Sequence, residues 1–138
     1  MTENQLAPDL RTRLYTSMVL TRKFEEKIVT LSQEPRRMPG MQILANGQEA
    51  VATGIVSALE PADVIISNHR SHGHLLARGA DLNSLMAEIM AKGTGVNGGK
   101  AGTLHLSVPD LNMLMTSTVV GAGPPTGPWC GFCPTVQA

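Results

Sequence analysis

Apolar residues recur along the first part of the chain at the spacing of an amphipathic helix. Apart from two adjacent ones, Met18 and Val19, they fall at steps of three, four or five positions between Leu10 and Ser32, with charged residues such as Glu25 between them. This spacing places apolar side chains on one face of a helix and charged side chains on the other. The apolar positions are Leu10, Leu14, Met18, Val19, Phe24, Ile28 and Leu31.

Two further helices and a strand are predicted in the middle of the chain. A helical run extends from about Gln48 to Leu59, and another from Asp81, which can cap free amides, to Lys92. Between them, the apolar and β-branched run Val64–Ile66 predicts a short buried strand. Helices that alternate with strands indicate an α/β fold. The first of the two helices has a face of small residues suited to close packing, formed by Ala50, Val51, Gly54, Ile55 and Ala58.

A glycine-rich stretch follows the predicted helix that ends at Lys92. Its glycines disfavour regular structure until a short strand predicted around Leu104–Leu106. The stretch is not a phosphate-binding P-loop, because Ala101 follows Gly99 and Lys100 where that motif needs Ser or Thr. We interpret it as a flexible loop with Lys100 and His105 in solvent.

The composition of residues 124–138 differs from that of the rest of the chain. Four prolines and two glycines leave nothing long enough for a helix, so an irregular tail is predicted. The tail contains Trp129-Cys130-Gly131-Phe132-Cys133, which resembles the redox motif of thioredoxin-like proteins. Because no predicted strand leads into this motif, redox chemistry is only a secondary alternative.

Composition and charge exclude several classes of partner. The 138 residues are 42% hydrophobic and 16% charged, which suits one domain with a buried core. Eleven basic and eleven acidic residues give a formal charge of zero, so no overall field attracts nucleic acid or an anionic membrane. The apolar runs are shorter than the roughly 20 residues of a membrane span, and the start does not resemble a signal peptide. We therefore expect a cytoplasmic protein, and two cysteines fit a reducing compartment.

The densest cluster of reactive side chains is the segment 68–74, Asn-His-Arg-Ser-His-Gly-His, which follows the predicted strand. Ligands of open α/β sheets bind beyond the carboxyl ends of the strands. Arg70 there could clamp a phosphate with its fork of donors, and neighbouring histidines could relay protons near neutral pH. Two alternatives are a polar loop that caps the next helix and a zinc site built on the histidine spacing.

Four short motifs occur in a fixed order over roughly residues 10 to 125. Together they resemble alpha subunits of the pyruvate, branched-chain and acetoin dehydrogenases, which form the dehydrogenase E1 component family. The cluster is most similar to the acetoin branch, since pyruvate dehydrogenases more often carry tyrosine in place of His69. Ile43 stands where many of their alpha subunits have a substrate-contacting histidine. The motifs are Gly47-Gln48-Glu49-Ala50, Ser67 through His74, Gly98 through Leu106, and Val119-Val120-Gly121-Ala122.

The resemblance implies a role for individual residues of these motifs. Arg70 matches the arginine that binds the diphosphate of thiamine diphosphate, and His69 matches the preceding cofactor contact. His72 matches a histidine of the active-site loop and is the implied catalytic residue. Backbone groups of Thr118 and Val120 match those that hold the aminopyrimidine ring of the cofactor.

The resemblance also implies a fold and a function. Residues 1–123 would form the amino-terminal part of an incomplete three-layer α/β/α thiamine-diphosphate-binding fold. The implied activity is that of an alpha subunit, or a fragment of one, which acts on acetoin or a 2-oxo acid such as pyruvate. Its partners would be a beta subunit, a small-molecule substrate and a second copy of the chain.

The metal-binding part of the family pattern is not found in these 138 residues. In the family, a Gly-Asp-Gly segment and a downstream asparagine bind the magnesium that accompanies the diphosphate, so no metal ligand is predicted here. This leaves the alternative of a catalytically inactive remnant that acts as a subunit-binding module. A reading-frame change or truncation near Pro125 would account for the tail, residues 124–138.

Overall fold

The first helix, α1, extends over Pro8–Ser32 in the computed structural model, which describes residues 7–35, 37–121 and 123. It begins at a proline, whose missing N–H is not needed in the first helical turn. The helix predicted from Leu10 to Ser32 is therefore confirmed. Glu25, expected on the charged face, is instead fully buried, and one oxygen of its carboxylate contacts polar groups of two other segments.

Two shorter helices, α2 over Glu49–Ala58 and α3 over His72–Ala77, pack against α1 and against each other. A Cβ atom added to Gly73 of α3 would lie 2.8 Å from the Cβ of Ala52, so the two helices approach closely. The small-residue face predicted for α2 points outward, and Val51 and Ile55 on it are 57% and 50% exposed. The helix α3 was not predicted, because the segment was interpreted as a loop of reactive side chains.

Two parallel strands form the sheet of the described residues, β1 over Ile65–Asn68 and β2 over Met113–Ser117. The strand predicted at Val64–Ile66 is confirmed with a shift toward the carboxyl end. The strand predicted around Leu104–Leu106 is wrong, since this segment lies in turns that follow the left-handed Gly102. The methionines of β2 lack the β branching that identified β1.

The fourth helix, α4, extends over Leu82–Ile89. As predicted, the side chain of Asp81 caps it, with the amide of Ser84 donating to its carboxylate over 2.8 Å. The helix ends before the predicted Lys92 because Ala91 has a positive φ of 54°. A 3-10 turn over Pro109–Leu111 then leads into β2.

The sheet and helices α1 to α4 share one apolar core. Both α3 and α4 lie in the connection between β1 and β2, as a parallel pair requires. The predicted incomplete α/β fold is confirmed by this combination of helices with a small parallel sheet. The core consists of Phe24, Ile28, Val56, Ile65, Leu75, Leu76, Leu85, Ile89, Leu106 and Met113.

Two expectations concern the remaining parts of the chain. The tail 124–138, with the redox-like motif of Cys130 and Cys133, lies outside the described residues. Among the helices that are described, none is long and apolar enough to cross a membrane.

Candidate functional site

The carboxyl ends of the two strands lie side by side. Asn68, the last residue of β1, pairs with Ser117, the last residue of β2. His69 and Arg70 continue from β1, and Thr118 continues from β2, so these predicted site residues leave the sheet at one edge. This is the edge at which α/β sheets bind ligands.

Arg70 is half-buried at this edge and lines a small cavity of about 50 Å³. One nitrogen of its guanidinium donates a hydrogen bond to the carbonyl oxygen of Leu44. Its backbone amide donates to the side chain of Asn68 over 2.8 Å. The hydroxyl of Thr21, also in the cavity wall, is buried and has no hydrogen-bond partner among the described residues. The cavity thus combines a cation with an unused polar group.

His74 contributes a further polar side chain to the wall of the same cavity. Its Nδ1 atom lies 3.3 Å from the hydroxyl oxygen of Ser67 in β1. Burial lowers the pKa of His74, because the charged imidazolium loses contact with water. The neutral ring is therefore favoured at this edge, and Arg70 supplies the permanent positive charge.

His72, the predicted catalytic residue, is fully buried at the start of α3. Its Nδ1 atom lies 3.1 Å from Glu25 Oε1, and its Nε2 atom lies 2.7 Å from the hydroxyl oxygen of Thr103. The ring also makes an edge contact with Phe24. Because both nitrogens are engaged inside the protein, this geometry suits a residue that orients its neighbours. Direct catalysis by His72 stays a prediction.

The glycine-rich loop is held by the buried carboxylate of Glu88 in α4. Oxygen Oε2 accepts hydrogen bonds from the amides of Asn97 and Gly99 over 2.7 and 2.8 Å. Oxygen Oε1 accepts from the amides of Ala101 and Gly102 over 2.7 and 3.3 Å. Burial raises the pKa of Glu88, but these four bonds to the charged form outweigh burial and lower it below its ordinary value.

The loop therefore lacks regular structure, as predicted, yet its path is defined by hydrogen bonds, which the interpretation as a flexible loop did not foresee. Lys100 and His105 are exposed, as expected. Thr103, by contrast, turns inward to His72, so the loop is joined to the segment that carries Arg70.

Glu49, in the first of the four motifs, joins α1 to the start of α2. Its carboxylate accepts from Arg22 Nε over 2.6 Å and from the amide of Gly47 over 2.9 Å. The hydrogen bond from Arg22 is the main reason that the pKa of Glu49 falls from 4.5 to about 2. This contact fixes the chain just after Leu44 and Ala45.

Sequence reasoning missed the buried polar residues that support this site. The signal for Glu25 was present, because it lies four positions after Thr21 and three before Ile28, on the face that is buried. Nothing local distinguishes Thr103, whose partner His72 is 31 positions away. Within the described ranges, no three His, Cys, Asp or Glu side chains are grouped to hold a metal ion. The zinc alternative therefore has no support from these residues.

The sequence is similar to that of known proteins. The profile of the family described as dehydrogenase E1 component matches residues 15–133. The chain is 42% identical over 110 residues to the alpha subunit of acetoin:2,6-dichlorophenolindophenol oxidoreductase from Bacillus subtilis, covering 80% of this chain and 33% of that one. It is 37% identical over 119 residues to the chloroplastic pyruvate dehydrogenase E1 component subunit alpha-3 from Oryza sativa, covering 86% and 28%.

A second acetoin:2,6-dichlorophenolindophenol oxidoreductase alpha subunit, from Cupriavidus necator, is 36% identical over 113 residues, covering 81% of this chain and 33% of its own length. The chain thus spans about a third of the length of the curated relatives it matches.

Proposed function

Because the chain belongs to the dehydrogenase E1 component family, we propose that it forms part of the thiamine-diphosphate site of an alpha subunit. The observation that carries this proposal is the position of Arg70, half-buried in a cavity at the carboxyl end of β1. A guanidinium that is fixed by one hydrogen bond to the backbone keeps other donors for an anion. A diphosphate matches such a fork in charge and in shape.

The other proposed cofactor contacts lie near Arg70 along the same edge. His69 precedes it, and the turn with Thr118 and Val120 follows the neighbouring strand β2. The carbonyl and amide groups of such a turn can bind the polar edge of an aminopyrimidine ring. We propose that Arg70 and His69 hold the diphosphate end, and that the backbone at Thr118 and Val120 orients the ring.

The chemistry itself would come from the cofactor. When bound, thiamine diphosphate supplies a thiazolium carbon that attacks a carbonyl group and a ring that accepts electrons. The residues of this chain would bind and orient the cofactor at the sheet edge. His72, which contacts Glu25 and Thr103, would orient the segment next to Arg70.

Acetoin is the first substrate that we propose, and a 2-oxo acid such as pyruvate is the second. Two of the relatives described above are named for acetoin and one for pyruvate. His69 and Ile43 stand where pyruvate dehydrogenases more often carry tyrosine and a substrate-contacting histidine. The proposed assembly contains a beta subunit, because the relatives are alpha subunits by name.

Calorimetric titration with thiamine diphosphate and magnesium, with and without a beta subunit from an acetoin-oxidising relative, tests the proposal. We expect micromolar binding that is weakened about 10–100-fold in Arg70→Ala and kept in Arg13→Ala, which replaces an exposed arginine on α1. Absence of binding even with the beta subunit would contradict a working cofactor site.

A second function, a subunit-binding module without catalysis, is favoured by one observation. The outward face of α2 presents Val51 and Ile55, about half exposed, beside Gly54, whose added Cβ would meet nothing within 4 Å. Small residues on an open helix face allow close approach of another helix. If the beta subunit co-elutes with the chain, and Gly54→Leu abolishes co-elution while no cofactor binds, this second function replaces the first.

A further inference from the structure

Glu25 has an unusual place for a carboxylate. It lies on α1 among apolar core residues, and its side chain is 0% exposed. Burial of a charged group is costly unless hydrogen bonds and an opposite charge offset the loss of water. The contacts of this side chain therefore decide what it does in the fold.

One oxygen of Glu25 makes both of the contacts that the structure describes. Oε1 lies 3.1 Å from His72 Nδ1 and accepts a hydrogen bond from the amide of Ala45 over 3.3 Å. Oε2 is buried without a partner among the described residues. A single carboxylate oxygen on α1 thus connects the start of α3 with the segment that precedes α2.

These two connections lie on either side of Arg70. Ala45 directly follows Leu44, whose carbonyl oxygen accepts the hydrogen bond from the Arg70 guanidinium. His72 is two residues after Arg70 and begins the helix that fixes the backbone there. Glu25 therefore contacts the segment 44–45, whose Leu44 carbonyl accepts the hydrogen bond from Arg70, and it also contacts His72, which lies next to the Arg70 backbone.

We infer that Glu25 is a positioning residue for Arg70, acting through His72 and the segment 44–45. The inference rests on the proposed function in so far as Arg70 binds a diphosphate. The Thr103 hydroxyl at the far side of His72 extends the same connection to the glycine-rich loop. A carboxylate that served only to stabilise the core would affect the free energy of unfolding and leave the order of the Arg70 side chain unchanged.

The side-chain order of Arg70 can be measured without any cofactor. In the full chain labelled with ¹⁵N, the heteronuclear NOE of the Arg70 Nε–H group, assigned with Arg70→Lys, reports its motion. We expect a high value in the unaltered protein. In Glu25→Leu, which removes the acceptor for both Ala45 and His72, it should fall to the level of the exposed Arg13, whereas Glu26→Leu, on the solvent side of α1, should leave it unchanged. An unchanged NOE in folded Glu25→Leu would overturn the inference.

A double variant covers the case in which Glu25→Leu, which leaves His72 Nδ1 without a partner, does not fold. Replacing both members of a buried polar pair by apolar residues of similar volume is often tolerated. Glu25→Leu combined with His72→Leu should therefore fold, with the Arg70 NOE lowered. A folded double variant with an ordered Arg70 would equally overturn the inference.

Cofactor affinity then separates the two proposals. We expect Glu25→Leu to weaken thiamine diphosphate binding about tenfold, the scale of losing a partner behind a ligand. If the unaltered protein binds no thiamine diphosphate, the proposed function fails while the NOE result still decides the role of Glu25. If binding is present and Arg70→Ala weakens it but Glu25→Leu does not, the positioning role fails and the proposed function stands.

Discussion

Two buried glutamates organise the two regions of this molecule in different ways. Glu88 accepts four backbone amides, two on each oxygen, and holds the glycine-rich loop. Glu25 uses one oxygen for His72 and the amide of Ala45, and its other oxygen has no partner among the residues described. The first carboxylate is fully satisfied by the main chain, whereas the second depends on a side chain from a distant segment.

Because of this difference, the glycine-rich loop and the surroundings of Arg70 should tolerate different sequence changes. The loop needs glycines where the backbone must turn or approach closely, and Gly99 has a φ of 77°. The identity of Lys100, which is exposed, matters little for its path. Near Arg70 the side chains themselves form the network, so His72 and Glu25 cannot be exchanged freely. A fully hydrogen-bonded buried group makes its surroundings rigid, whereas an unpaired buried polar group such as Glu25 Oε2 is costly.

The largest effect is expected from Glu88→Ala. Four amides of the part-buried loop would lose their acceptor, and each buried unsatisfied group costs about 1–3 kcal/mol. Because part of the loop can become hydrated, we expect a net loss of roughly 3–5 kcal/mol in the free energy of unfolding, measured with urea. Glu26→Ala, which removes an exposed carboxylate, is the matched control and should change it by less than about 1 kcal/mol. Equal losses in both variants would show that the loop does not depend on Glu88.

Substitutions of two closely packed glycines are expected to have the next largest effect on the free energy of unfolding. A Cβ atom added to Gly95 would lie 2.5 Å from Glu88 Cα, a backbone atom that cannot move aside. One added to Gly73 would lie 2.8 Å from the Cβ of Ala52. We expect losses of about 1–3 kcal/mol in the free energy of unfolding for Gly73→Ala and at the upper end of this range for Gly95→Ala.

Gly54→Ala is the control for both glycines, because its added Cβ meets nothing within 4 Å on the open face of α2. It should raise the free energy of unfolding by about 0.5–1 kcal/mol through its higher helix propensity. A loss in Gly54→Ala as large as that in Gly73→Ala would mean that close packing of α3 on α2 is not the cause.

A smaller effect is expected from acid. The pKa of Glu49 is about 2, below its ordinary 4.5, because Arg22 and Gly47 hydrogen-bond the charged form. A lowered pKa in the folded protein gives stabilisation that is complete above the ordinary value and is lost as the pH falls toward the folded value. Glu49→Gln should therefore be less stable than the unaltered protein at pH 6, and the difference should shrink between pH 4.5 and 2. Urea unfolding across this range measures it, and a gap that widens in acid would refute the account.

The helices and strands could be predicted from the sequence wherever a local pattern of residues determines the element. Helix α1 followed from apolar spacing, and the Asp81 cap from residue type. The strand β2 could not be found this way, because methionine-rich Met113–Ser117 becomes a strand only by pairing with β1. The spacing along α1 places Glu25 on the buried face, but it does not indicate the contact of Glu25 with His72, 47 positions away. Local periodicity gives no information about contacts between residues so far apart in the sequence.

The most direct test of the central claim, that Arg70 binds the diphosphate, compares two ligands. Thiamine diphosphate and thiamine, each with magnesium and a beta subunit, are titrated into the unaltered protein and into Arg70→Ala. Hydrogen bonds to charged groups contribute about 1.5–3 kcal/mol, and each 1.4 kcal/mol corresponds to a factor of ten. We expect Arg70→Ala to weaken the binding of thiamine diphosphate about 10–100-fold and to leave the binding of thiamine unchanged. Equal weakening of both ligands, or no weakening of either, would contradict this claim.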